Sequence, residues 1–402
     1  MPDRHRLLGR VWPAYSKPKD DELLSSWLVR LSMAHGLKLH TFCSLAWPRR
    51  AIWNRDIDKS ADERVLAVLS EKTDTPLERV RDTTLSAYEG VLYEKNPFGN
   101  TLWIMPVGVY HRVRTQYGLQ FCPRCLAEDK EPYFRRRWRL AFVTVCVEHG
   151  VVLRDRCPRC GAAVNFHRDE LGLRNKYAPA SMRLCHSCRF DLRTVGGGSE
   201  VDGREVQTDA AEIQFQEKLL NAVRDGWVAV DGRGPVYSHL FFRVLHQLMR
   251  MVATGKRSAV LRAAAVAQWD VPAFTPSFSG NSRGLERLDI ETRRRLLAIG
   301  RYMLEDWPDR FVEFCEANRV WSSTLLRDLD DVPYWYWRVV TKHLYRYSYC
   351  PSDEEIDSAV AYLRGHNQPL NKKSISRLLG VTAVHRKRRV WKREWDDDGN
   401  GT

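Results

Sequence analysis

Eight residues between positions 121 and 190 have the types and spacing of soft-metal ligands. They form four pairs, each with two residues between its members: Cys122/Cys125, Cys146/His149, Cys157/Cys160 and Cys185/Cys188. Zinc prefers four thiolate or imidazole ligands at tetrahedral corners, and one tight turn of this spacing supplies two of them. Taken in order, the pairs predict one site of three cysteines and a histidine and a second of four cysteines. The loops between paired knuckles hold 20 residues (126–145) and 24 residues (161–184), near zinc-ribbon spacing. Cross-braced pairing, first with third and second with fourth, is left open by sequence. Pro123 and Pro158 sit inside knuckles, while Gly150 and Gly161 follow theirs, as sharp turns require. Two complete four-ligand sets leave no open position for a reacting water, so both zinc ions are expected to be structural. His167 and His186 are spare histidines and are expected at the surface. Cys43, Cys315 and Cys350 lack local partners and are expected as small buried residues.

The elements that carry these ligands are mainly helical by pattern. Leu24, Trp27, Leu28 and Leu31 recur at helical spacing, and Gly36 closes that helix. Short helices are expected at 41–47 and 61–70. Thr75, Pro76 and Glu78 predict a capping box opening a helix over 77–85, so that 61–85 is a helix-turn-helix candidate or a plain helical hairpin. Residues 90–120 lose the pattern and read as a connector packed on the zinc region. Within that region, Arg135, Arg136 and Arg137 alternate with Tyr133, Phe134 and Trp138. Such a stretch suits a phosphate backbone, a protein interface, or aromatic packing around the knuckles with arginines turned to solvent.

The glycines at 196–198 suggest a boundary, and the sequence beyond them reads as all helix. Helix starts are expected at Asp209, Ser238 and Asp289, with more helices at 308–317, 323–329 and 333–344. The run Tyr334, Trp335, Tyr336 and Trp337 covers every side of the last of these, as core or as a docking surface. Ser352 and Glu355 then form a capping box ahead of the stripe Ile356, Ala359, Val360 and Leu363. A short helix around Arg377, a turn at Gly380 and a further helix capped by Thr382 complete a helix-turn-helix pattern. The last helix would carry Arg386, Lys387, Arg388 and Arg389, followed by Lys392 and Arg393. From 364 to 393 there is no Asp or Glu. This is either a DNA-reading helix or a basic tail.

The expected layout is an N-terminal helical, helix-turn-helix-like domain (1–115), a tandem zinc-ribbon-like region (116–198), an all-helical domain (199–350) and a basic helix-turn-helix-like segment with its tail (351–402). Lys and Arg outnumber Asp and Glu by 64 to 50, which favours a polyanionic partner. No apolar run approaches membrane-spanning length, the start has no apolar signal core, and thiols kept as metal ligands point to a reducing cytoplasm.

These features together resemble the TniQ family, which includes TnsD-like proteins of Tn-seven-type transposons. The residues that carry the resemblance are Glu22 to Leu31 (ELLSSWLVRL), Phe121 to Cys125 (FCPRC), Cys146 to Gly150 (CVEHG), Cys157 to Gly161 (CPRCG) and Cys185 to Cys188 (CHSC), with the 75–84 segment between them. The resemblance implies a non-enzymatic target-selection adaptor that hands a DNA site to a AAA+ ATPase regulator and thence to a transposase. Some members bind a fixed attachment sequence directly. Others act as a dimer on a CRISPR Cascade complex, so that guide RNA chooses the site. A zinc-dependent nuclease or recombinase is the competing class. Glu148 and Asp155 are the carboxylates nearest the ligands, and neither falls in a catalytic motif.

Overall fold

Helix α1 (Leu24–Ala34) is buried on every side from Leu24 to Ser32, although it carries three serines and an arginine among its apolar residues. A helix enclosed all round belongs at the centre of a fold, and each of its polar groups must find a partner there. In the computed structural model they do. Ser25 donates its backbone N–H and its hydroxyl to Asp58, at 2.7 and 2.8 Å. Ser26 donates to Glu22, and Arg30 bridges Glu22 at 2.7 Å and Glu131 at 2.8 Å. The Trp27 indole donates to the Ser16 carbonyl. Gly36, at φ +62°, closes the helix: its N–H reaches Met33 and the Leu37 N–H reaches Ser32, the paired bonds of a Schellman motif.

The structure describes residues 9–95, 99–168, 182–194, 200–201, 204–205, 208–231, 234–278, 284–327, 329, 331–345 and 351–380. The chain divides into two compact units, Met1–Val339 and Val340–Thr402. The glycine break at 196–198 and Cys350 lie outside the described residues.

In the first unit, α2 (Leu39–Ala46) and α3 (Glu63–Thr73) follow α1, and Asp62 caps α3. The capping box expected from Thr75 does not form. Its N–H bonds Ser70 and its hydroxyl bonds Thr73, so this buried residue closes α3 instead of opening α4. Helix α4 is correspondingly short (Leu77–Arg81), and the Thr83 and Thr84 hydroxyls cap its last carbonyls before a 3-10 turn at Leu85–Tyr88. Residues 101–120 run along the ligand-bearing segment. Ala141 bonds Trp103, Met105 bonds Arg139 and Gln120 bonds Trp138 through their backbones. Helix α5 (Pro123–Glu128) begins at the first ligand.

Beyond the second knuckle pair come α6 (Ala210–Asp225), α7 (Ser238–Ala253), α8 (Ser258–Trp269), α9 (Ile290–Leu304), α10 (Asp309–Ala317), α11 (Ser322–Leu325) and α12 (Tyr334–His343). Asp209 and Asp289 cap α6 and α9 as the sequence predicts. Ser238 is the first residue of α7, with Tyr237 at the cap, because its hydroxyl is taken by the Val91 carbonyl at 2.6 Å. The all-helix expectation also fails at Trp227–Ala229, which pairs antiparallel with Pro235–Tyr237 after Gly226 (φ +76°) ends α6. Helix α8 has no counterpart in the sequence reading, since only Leu261 and Ala265 give it a buried face. The aromatic run of α12 is split. Trp335 lies 5.0 Å from Trp307, and Tyr336 packs on Phe311 at 5.7 Å, both buried, whereas Tyr334 and Trp337 are exposed.

In the second unit, α13 (Asp353–Gly365) begins with the expected Ser352/Glu355 capping box. Asn371 caps α14 (Lys372–Leu378), and Ala359, Leu363 and Ile375 form the shared core of the pair. Gly380, at φ +65°, follows in the left-handed conformation. Among the described residues no helix is long and apolar enough to cross a membrane.

The split in α12 sets a stability contrast. Tyr336→Ala removes a fully buried ring and should cost about 3–5 kcal/mol in urea unfolding. Tyr334→Ala should stay within about 0.5 kcal/mol of the parent chain.

Candidate metal centres

Local turns place the ligands. Cys122 is the N-cap of α5, and its sulfur accepts from the Cys125 N–H at 3.4 Å, with Pro123 at the first helical position. Cys146 ends one strand of a hairpin (Val145–Cys146 with Val151–Val152), and His149 lies in its turn. Gly150 follows at φ +61°, its N–H on the Cys146 carbonyl. Cys157 and Cys160 sit in a second knuckle closed by Gly161 (φ +69°). Cys185 and Cys188 sit in a third closed by Arg189 (φ +62°), a left-handed position held here by a residue with a side chain.

The pairs meet in sequence order. Cys122, Cys125, Cys146 and His149 bring their ligand atoms within 4.8 Å of one another, and so do Cys157, Cys160, Cys185 and Cys188. Cross-braced pairing is thereby excluded. In the first cluster Cys125 and Cys146 sulfurs are 3.6 Å apart, and His149 Nδ1 lies 3.3–3.5 Å from all three sulfurs. In the second, Cys157–Cys188 and Cys160–Cys185 are both 3.6 Å. Zinc–sulfur bonds of about 2.3 Å at tetrahedral angles put sulfurs about 3.8 Å apart, so both clusters fit a zinc ion.

Charge tells the same story. Without a cation, four close ligands cannot all be anionic. Cys125 rises far above the ordinary thiol range by sharing protons with Cys122 and Cys146, while hydrogen bonds from Cys122 and Cys125 pull Cys146 far below it. In the second cluster, burial pushes Cys185 up to about 12. Cys160 falls to about 7, because the Ala162 N–H and the neighbouring thiols outweigh its burial. A bound dication removes this conflict by holding every thiol as thiolate. His149 turns Nδ1 to the cluster, and its Nε2 donates to Glu128 at 2.9 Å, a carboxylate that fixes the ring as outer partners of metal-bound histidines do. Nothing in the spacing of the sequence singled out Glu128. Glu148 lies 3.2 Å from the Cys125 sulfur and is paired with Arg137 at 2.6 Å.

The basic residues fall as follows. Arg135 makes a two-pronged pair with Asp129 at 2.9 and 3.1 Å and lies over the Tyr133 and Trp138 rings. Arg136 reaches Asp21 and the Asp82 carbonyl, and Arg137 spans Asp21 and Glu148. Arg137 thus joins the stretch ahead of α1 to the carboxylate beside the first cluster, and none of the three is turned to solvent. Arg377 is exposed on α14. Thr382, Arg386, Lys387, Arg388, Arg389, Lys392 and Arg393 lie outside the described residues. His167 is a correction: it is buried, stacked on Trp53 at 4.7 Å, with Nε2 donating to the Arg112 carbonyl. Burial and the nearby Arg114 charge hold it neutral. Cys43 and Cys315 are buried, as expected.

Residues 13–153 match the TniQ family model. The match takes in α1 and the whole first cluster, and it ends before Cys157. No curated protein matches the chain.

Two zinc equivalents per chain are expected by elemental analysis of protein purified without chelator. Cys160→Ser should lower this to about one and leave the first site filled. Two equivalents retained in that variant would remove the second cluster from the account.

Proposed function

We propose that this chain, whose residues 13–153 belong to the TniQ family, is a non-catalytic target-selection adaptor in transposition, with two structural zinc ions. The observation that carries this reading is the TniQ match itself, over a segment whose chemistry is already spent on holding shape. The first ligand set closes on itself, Glu148 is paired with Arg137, and Arg135 with Asp129. A carboxylate neutralised in this way is poorly suited to the hard-metal chemistry of a nuclease.

In this role the protein binds target DNA, or a nucleoprotein complex at it, and recruits a AAA+ ATPase regulator and through it the transposase. The setting is the bacterial cytoplasm. DNA binding is assigned to the basic C-terminal segment: Arg377, Arg386, Lys387, Arg388, Arg389, Lys392 and Arg393. The capped pair α13 and α14, ended by left-handed Gly380, leads into it as a helix-turn-helix does. Arg135, Arg136 and Arg137 rank behind it, because a phosphate would have to displace their carboxylates. The same basic segment favours a TnsD-like mode that reads sequence without guide RNA. A mode in which a dimer rides on Cascade is the alternative, and there the segment would add only nonspecific attraction.

Salt-titrated binding of the zinc-loaded chain to random duplex and to the element's insertion target separates these modes. Strong preference for the target supports direct reading; weak binding to both, with capture by Cascade, supports the guided mode. Changing Arg386, Lys387, Arg388 and Arg389 to Ala should flatten the salt dependence, by about 0.9 in slope for every phosphate no longer neutralised. An unchanged slope would remove this segment from the interface.

A further inference from the structure

A cavity of about 530 Å³ opens beside the amino end of α8, and among the described residues its charged lining is all of one sign: Arg250, Lys256, Arg257 and Arg327 line it, and no described carboxylate does. Helix α8 is 12 residues long and starts there. The amino end of a helix presents unsatisfied N–H groups and partial positive charge, which carboxylates or hydroxyl caps ordinarily offset. Here the first turn holds no acid, the N-cap is Arg257, and no side chain caps the turn, whose Ser258 N–H alone is taken up, by the Gly255 carbonyl. Lys256 and Arg257 thus stand at the end of the helix where cations are least favoured. Arg257 is held in place by the Asn318 and Arg319 carbonyls at 2.7 and 2.8 Å. Lys256 and Arg327 are exposed and have no hydrogen bond or ion pair among the described residues.

An independent feature lies on the wall formed by α7. Gln247 is 6% exposed, lines the same cavity, and its carboxamide has no hydrogen-bond partner among the described residues. A side chain this enclosed ordinarily bonds its amide, so a lone one on the wall of a cationic cavity marks a place where a polar ligand would complete the set. An oxyanion fits every part of it: it accepts from the Gln247 amide and the first-turn N–H groups, and it neutralises Lys256 and Arg327.

The geometry points to a phosphate-binding pocket formed by Gln247, Lys256, Arg257, Arg327 and the amino end of α8, whose occupant is a phosphate of a nucleic-acid backbone. The nucleic-acid source rests on the target-selection reading above; the phosphate chemistry does not. The pocket would give the helical half of the chain a hold on the backbone separate from the basic C-terminal segment, one that positions DNA without reading its bases.

The test uses the full zinc-loaded chain and the double variant K256Q/R327Q, with equal melting temperatures in chloride showing that the variant folds. In the first arm, inorganic phosphate replaces chloride at matched ionic strength. It should raise the melting temperature of the parent chain and not of the variant; no rise, or an equal rise in both, overturns the pocket. In the second arm, the slope of log affinity against log salt is read on random duplex. It should be shallower in the variant by about 0.9 for each phosphate that the pocket neutralises in the parent chain. A discriminating phosphate arm with an unchanged duplex slope overturns the nucleic-acid occupant and leaves a free phosphate compound in its place. A parent chain that binds no duplex at all fails the target-selection reading and the nucleic-acid occupant together, while the phosphate arm still decides the pocket.

Discussion

The carboxylate of Asp58 is fully buried, and four other stretches of chain meet around this residue. Its oxygens take the Ser25 N–H and hydroxyl from α1, Arg114 Nη2 at 3.0 Å and Arg139 Nη1 at 3.5 Å, while its backbone carbonyl takes the Leu85 N–H. Arg139, itself fully buried, also grips Asp56 at 2.6 Å and the Met105 carbonyl at 2.8 Å. Two arginines and two aspartates make a neutral set. Moving each ion out of water costs several kcal/mol, which the close pairing offsets here, although Arg114 Nη1 and Arg139 Nε have no hydrogen-bond partner among the described residues. Arg139 holds Asp56 below the ordinary carboxylate range despite its burial. The ligand-bearing segment can therefore occupy only one position against α1. A second set, Glu22 with Ser26, Arg30 and Glu131, fixes the same two segments one turn farther along.

This arrangement explains the motif at the start of the chain. In Glu22 to Leu31 the leucines and Trp27 fill the core, as their spacing foretells. The polar residues between them are equally buried: Ser26 and Arg30 meet Phe134 and Glu131, and Ser25 meets Asp58 and Arg114. Phe134 donates its N–H to Ser26, and Leu23 donates to the Phe134 carbonyl at 2.9 Å. What the TniQ match covers is thus one physical object: a central helix, its ion sets and the first ligand cluster.

The ligand pairs were legible in sequence because metal chemistry is local: two ligands with two residues between them can reach one ion from a single short turn. The α13 capping box was legible for the same reason, since Ser352 and Glu355 need only each other. The ion sets were not legible, because Ser25, Asp58, Arg114 and Arg139 are far apart in the chain and no period joins them. Arg135 to Arg137 read equally well as solvent-facing cations, because their partners Asp21, Asp129 and Glu148 become neighbours only through the fold. Thr75 misled in a simpler way. Its cap pattern was complete, but the end of α3 had a prior claim on its N–H and hydroxyl. Helix α8 escaped notice because an alanine-rich helix with two buried residues carries almost no periodic signal.

The central claim is that α1 and the ligand-bearing segment form one cooperative frame that depends on the metal. Hydrogen exchange of the full chain, with and without a strong zinc chelator, tests it most directly. The account predicts that chelation removes protection together from the α1 amides around Trp27 to Leu31 and from those around Phe134 to Leu140, while α13 keeps its own. If α1 kept its full protection after both ions were removed, the frame would stand without the metal and the claim would be wrong.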